Sequence, residues 1–214
     1  LKKVDDAVLY TYLPTSYRLG EGFPFLVNAN FITDEGRQHL DVDAEWNKVL
    51  ISKIPEEYLK WVASFSKKHS NYYEVLPKKS YGSTNDIFKE YENAMINALT
   101  KIAFIPSNRN NSLLKIDEAI IDSVNFAPVA GINSFLTYIN KKHSKNFTIN
   151  SFINCADYQI LDNFGVFRFD ENKIKPYFND NESTEIITAK RCLEFIDYFV
   201  QLSENSEFKE QITS

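Results

Sequence analysis

PFLVNANFITDEGRQHLDVDAEWN, residues Pro24 to Asn47, decides how this chain is read. It opens with the alternation of a strand. Phe25, Val27, Ala29 and Phe31 fall on one face, and Leu26, Asn28 and Asn30 on the other, because successive strand side chains point to opposite sides. The first face suits a core. The second, with two asparagines, does not. A polar turn, TDEGRQH, follows and carries Arg37. Asp43 can then cap a helix starting at Ala44 or Glu45. Trp46, Val49, Leu50 and Ile54 recur at helical spacing. Pro55 reads as the first-turn proline of a second helix, which carries Tyr58, Leu59, Val62 and Phe65. That helix closes on Lys67, Lys68 and His69, cations suited to a helix C-terminus.

Outward from this stretch, residues 7–13 (AVLYTYL) form a second strand, paired with the first through a loop, PTSYRLGEG. NYYEVLP, residues 71–77, reads as a strand or an extended segment. Ser83 or Thr84 caps a helix whose apolar stripe runs Ile87, Phe88, Tyr91, Ala94, Met95, Ala98, Leu99, Ile102. KIAFIP is a strand and SNRNN a loop. LLKIDEAIID holds a short strand and a short helix. Short helices are expected over 132–142, 148–154 and 157–163. GVFRF is a strand, NDNEST a loop, and Thr184 opens a helix to about Leu202. Strands come first, then helices with isolated strands. The predicted class is therefore α+β, with a mixed sheet near the N-terminus packed by helices and a more helical C-terminal half. A weak boundary near residues 104–112 divides the chain into 1–106 and 107–214, with a single domain as the alternative.

The 214 residues, 43% of them hydrophobic, suffice for one substantial core or two small ones. With 24 basic residues scattered among 29 acidic ones, net −5, nucleic acid is not the expected partner. No apolar run approaches the roughly 20 residues of a membrane span. The chain opens on Leu1 and is expected to be a piece of a longer protein. Cys155 and Cys192 sit among apolar residues and read as buried, reduced thiols of a cytoplasmic protein. The Asn-, Lys- and Ile-rich composition suggests a bacterial coding sequence.

Catalytic patterns are sparse. His39, His69 and His143 are far apart and read as surface residues, and no metal-ligand spacing occurs. Gly-x-Ser-x-Gly is absent. Six glycines in all provide no phosphate-cradling loop. No metal or cofactor is therefore expected on this chain itself. Asp34, Glu35, Asp41, Asp43 and Glu45 read as a solvated turn plus helix-cap charge. Arg37 remains, with three readings. It is a surface arginine, the partner of Asp41 or Asp43, or a cation presented to an anion, since guanidinium forks onto phosphate oxygens.

LPTSYRLGEGFPFLVNANFITDEGRQHLDVDAEWNKVLI, residues 13–51, resembles a segment that follows the ATP-binding domain in the sacsin and NO VEIN-like branch of GHKL ATPases. The matching residues are Leu13, Pro14, Thr15, Gly22, Pro24, Phe25, Asn28, Ala29, Phe31, Arg37, Asp43, Trp46 and Asn47. IPSNRNNSLLKIDEAIID and ILDNFGVFRFD look like the later half of the same region, with a looser match. Gln38 follows Arg37 where relatives often carry a second arginine. The resemblance implies a transducer-like or middle region that couples the nucleotide state of an upstream ATPase domain to movement. It implies ATP and magnesium in the full-length protein, that domain as a partner, and a protein client and homo-oligomer as further partners. In this setting Arg37 would reach the γ-phosphate, and Asn28 and Asn30 would line the strand that aims it. The other class is a protein-interaction module that never meets ATP.

Overall fold

The computed structural model describes residues 8–18, 25–77, 86–154, 158–180 and 189–204. The fold is α+β. Strand β1 (Val8–Thr11) reverses at Tyr12, whose φ of 63° makes the tight turn, and runs antiparallel into β2 (Leu13–Arg18). The expected loop PTSYRLGEG is thus in part a strand. Pro14, which has no N–H to donate, is tolerated because β2 is an edge strand. Strand β3 (Val27–Asn28) joins β1 on its other side, in parallel, with Leu9 opposite Val27. The sheet is mixed, in the order β2-β1-β3. Alternation holds along 25–31: Phe31 is buried and Phe25, Val27 and Ala29 pack on the core, while Leu26, Asn28 and Asn30 are exposed.

Helix α1 (Glu45–Ser66) is one helix, not two, and Pro55 lies inside it. An interior proline breaks one backbone hydrogen bond. Here its ring is buried, so packing holds the helix across the defect. The buried face is Asn47, Ile51, Pro55, Tyr58, Leu59, Val62 and Ser66. Trp46 and Val49, expected on that face, are instead about half exposed, at 52% and 51%. Asp43 does not cap this helix. The Asp41 Oδ1 accepts from the N–H groups of Asp43 and Ala44 at 3.1 and 3.2 Å, two residues earlier than expected. Residues Tyr72–Val75 form a short 3-10 turn, not an extended segment, because Tyr72, Tyr73 and Val75 all turn into the core. Helix α2 (Asp86–Lys101) packs along α1 through Tyr91, Met95, Ala98 and Leu99, all buried as its stripe predicted. Its expected cap, Ser83 or Thr84, lies outside the described residues.

Beyond α2 the strands are short. β4 (Ile105–Pro106) and β5 (Leu113–Leu114) make a hairpin. The helix expected within LLKIDEAIID is a turn, closed by the Lys115 N–H on the Glu118 carboxylate at 3.0 Å, and a strand, β6 (Ile120–Asp122). Among the described residues five α-helices follow: α3 (Phe126–Ala130), α4 (Ile132–His143), α5 (Tyr158–Asn163), α6 (Ile174–Asn179) and α7 (Ala189–Glu204). Strand β7 (Phe167–Phe169) pairs with β6 in parallel. Only residues Ile149–Ser151 of the helix expected over 148–154 are helical, as a 3-10 turn; Phe152 and Ile153 bridge to Ile120 and Ser107.

Two apolar cores result, and β6 divides them. Ile121 belongs to the first, with Leu9, Ile51, Leu59, Leu99 and Val166. Ile120, one residue earlier and so on the opposite face, belongs to the second, with Phe126, Phe135 and Phe169. The first core draws on residues from both sides of position 106. In the second, Phe126 is the hub, fully buried and stacked on Phe169 at 5.4 Å between ring centroids. Cys192 is exposed on α7, not buried, because that helix inserts Phe195 and turns Cys192 outward. Cys155 lies outside the described residues. No described helix is long and apolar enough to cross a membrane.

Candidate functional site

The turn that carries Arg37 is built on Asp34. The Asp34 N–H donates to the His39 carbonyl at 2.9 Å, and Thr33 bridges Leu40, so residues 32–41 form a closed hairpin. The Asp34 carboxylate accepts from the backbone N–H groups of Gln38 and His39 at 3.1 and 3.2 Å, and its carbonyl from that of Arg37 at 3.0 Å. Arg37 is the residue that takes the left-handed conformation, φ 55°, while Gly36 beside it does not. A side chain with a Cβ sits there at a cost of about 1–2 kcal/mol. Arg37 is exposed, and its guanidinium has no partner among the described residues. No pairing with Asp41 or Asp43 is present; the Asp41 carboxylate is occupied with the start of α1.

The hairpin is fastened at both ends. Ser16 on β2 donates from its backbone N–H and from its hydroxyl to the Gln38 carbonyl, at 2.8 and 2.7 Å. At the base, the side chain of Asn47 is fully buried in the first turn of α1. Its Oδ1 accepts from the Ile32 N–H at 2.8 Å, and its Nδ2 donates to the carbonyls of Ile32 and Asp41 at 2.7 and 2.8 Å. The Trp46 indole N–H donates to the Asn30 carbonyl at 2.8 Å. The Trp-Asn pair therefore staples the end of the β3 segment to the helix.

The expected site residues are not drawn together. Asn28 lies on β3, one edge of the sheet; the residue next to Arg37 is bonded to β2, the opposite edge, with β1 between them. Asn28 and Asn30 are both exposed, and Asn30 meets α1 through its carbonyl. Sequence reading singled out Asn47 only through the family resemblance and missed its place at the base of the hairpin, because a polar residue adds nothing to an apolar period. The available signal was its spacing of four from Ile51 and eight from Pro55, on the same helix face.

Elsewhere, an open cleft of about 520 Å³ lies at the α3–α4 junction, lined by Gly131, Ser134, Ile149 and Arg191 among others. The Arg191 Nη1 donates to the Ala130 carbonyl at 3.4 Å. Among the described residues no three His, Cys, Asp or Glu side chains are grouped to hold a metal ion. His39, His69 and His143 are all exposed. No family model, curated protein or solved structure matches this chain. The functional reading therefore rests on the residues themselves.

Proposed function

We propose that this chain is the middle, transducer-like region of a cytoplasmic, bacterial ATPase of the sacsin-like GHKL type. It would couple the nucleotide state of an upstream ATP-binding domain to movement of the larger protein, which would act on a protein client and as a homo-oligomer. ATP and magnesium would be held by that domain. The observation that carries the reading is Arg37: an exposed guanidinium without a partner among the described residues, on a hairpin tip pinned at Ser16, Asp34 and Asn47. An arginine held out in this way costs little reorganisation when it meets an anion, and a donated arginine stabilises charge on a transferring phosphoryl group. The test is a steady-state ATPase assay on the full-length protein. Arg37→Ala is expected to cut turnover by about 10²-fold or more. Unchanged turnover would overturn the reading.

A second reading, an interaction module that never contacts ATP, is favoured by the surroundings of Arg37. Residues 32–49 hold five carboxylates against Arg37 and Lys48. Lys48 is itself bound to Glu45 at 2.7 Å, and that contact raises the pKa of its ammonium group. A net negative neighbourhood opposes the approach of a triphosphate. Under this reading the same assay shows wild-type turnover in Arg37→Ala.

A further inference from the structure

Four apolar side chains are left exposed at the base of the hairpin and on the first turns of α1. Ile32, Val42, Trp46 and Val49 are 46%, 38%, 52% and 51% exposed. Hydrogen bonds make them neighbours. Asn47 ties α1 to Ile32 and Asp41, the Asp41 N–H donates to the Ile32 carbonyl at 3.0 Å, and Val42 follows directly. Trp46 and Val49 are one helical turn apart on the same outer face. Since the Trp46 N–H is satisfied by the Asn30 carbonyl, the exposed part of the ring is apolar. The stretch that carries them, residues 32–49, also holds Asp34, Glu35, Asp41, Asp43 and Glu45, all exposed, against Arg37 and Lys48.

We propose that this patch seats the apolar face of a basic amphipathic helix from a protein partner. The inference names a partner class that neither reading above supplies, and it does not depend on the role of Arg37. Three observations carry it. The acidic residues of this stretch select Lys and Arg at the edge of the contact. The patch is already ordered by Asn47 and by the Trp46 hydrogen bond, so binding gives up little freedom on this side. Added strands are excluded at Ile32, whose N–H is taken by Asn47 and whose carbonyl is taken by Asp41 and Asn47. A helix needs no backbone partner, and its anchors at i, i+3 and i+4 match two pairs of exposed apolar residues.

The test uses the 214-residue chain and two synthetic helical peptides of about 18 residues, five turns of helix. Both have the same leucine face; one has a lysine polar face and the other a glutamate polar face. Calorimetry is expected to show saturable binding of the lysine peptide, weakened by sodium chloride, and none of the glutamate peptide. Val49→Ser and Val42→Ser should each weaken that binding by about tenfold. Both side chains are exposed, and unchanged thermal melts would confirm that these variants fold. Ile196→Ser, on the exposed face of α7 beside Glu194 and Asp197, is the control and should bind as wild type. Equal binding of both peptides, no binding of either, or equal weakening by Ile196→Ser and Val49→Ser would each overturn the proposal.

Discussion

Asn47 and Ile32 hold each other by two hydrogen bonds, Ile32 N–H to Asn47 Oδ1 at 2.8 Å and Asn47 Nδ2 to the Ile32 carbonyl at 2.7 Å. A side-chain amide here stands in for a neighbouring strand. It closes the backbone of Ile32 where the sheet has ended, and a third bond reaches the Asp41 carbonyl. Asn47→Ala empties a fully buried position and leaves the Ile32 N–H and the Asp41 carbonyl without that partner, while the Ile32 carbonyl keeps the Asp41 N–H. The expected cost is about 2–4 kcal/mol, since a buried group left unsatisfied costs about 1–3 kcal/mol. Urea denaturation measures it. Asn28→Ala, on the exposed face of the same segment, should change stability by less than about 0.5 kcal/mol.

Arg37 separates a backbone effect from a side-chain effect. Its φ of 55° favours glycine, so Arg37→Gly should leave the fold as stable or raise stability by about 1 kcal/mol. Arg37→Ala keeps the Cβ and should melt as wild type. If the guanidinium meets phosphate in the full-length protein, both variants lose turnover alike, and Arg37→Lys recovers only part of it, because an ammonium lacks the planar fork. Thermal melts of this chain paired with ATPase rates of the full-length protein would distinguish the two effects. A drop in melting temperature on Arg37→Ala would contradict a guanidinium without a partner among the described residues.

Leu99 lies 5% exposed between α2 and α1. Leu99→Ala should cost about 2–5 kcal/mol through the cavity it leaves. A chemical-denaturation midpoint equal to wild type would contradict the packing of α2.

Gly131 joins α3 to α4 at φ 82°, and a Cβ there would come within 2.5 Å of the Arg191 Nη2. Gly131→Ala should cost the roughly 1 kcal/mol of conformational strain, and the close approach adds little, because Nη2 is the far end of a flexible side chain that can swing aside. In the Gly131→Ala/Arg191→Ala double variant the clash is gone and the strain remains. The double-mutant cycle, read by thermal melts, should therefore show a coupling of less than about 0.5 kcal/mol between the two substitutions.

His143 is a pH-sensitive group of the second half. Partial burial lowers its pKa from the ordinary 6.5, and Lys173, Lys142 and Lys145 lower it further. Its ring lies 4.8 Å from that of Phe167. The folded state thus binds the proton less tightly than the unfolded chain. Stability is highest where the ring is neutral, and falls as pH drops from about 6.5 through the lowered value. His143→Gln lacks this dependence. The melting temperature of wild type relative to that variant should fall on going from about pH 7.5 to about pH 5.

Much of the framework is legible in the sequence, because it follows from local periodicity. The alternation of residues 25–31 sorted Phe25, Val27, Ala29 and Phe31 inward and Asn28 and Asn30 outward. The stripe Tyr91, Met95, Ala98, Leu99 placed α2 in the core. A side chain leaves water on the face its neighbours in sequence also bury, and that pattern survives in one dimension.

Other features were set by residues distant in the chain. Trp46 and Val49 keep the helical period of α1, yet the helix turns them outward, because Asn47 is bonded to Ile32 fifteen positions away. Pro55 stops a helix in isolation; here it is buried in the middle of one, where packing offsets the lost hydrogen bond. Arg37, not Gly36, takes the left-handed position because the Asp34 carboxylate and the Ser16–Gln38 contact close the hairpin in that register. The sequence by itself determined the α+β class, and the apolar faces of residues 25–31 and of α2. Tertiary structure decided the rotation of α1, the division of two cores by Ile120 and Ile121, and the separation of Asn28 from Arg37 by strand β1. The physical reason is that periodicity records the average preference of a face for water. The satisfaction of a single buried amide depends on backbone groups that only the folded chain brings within reach.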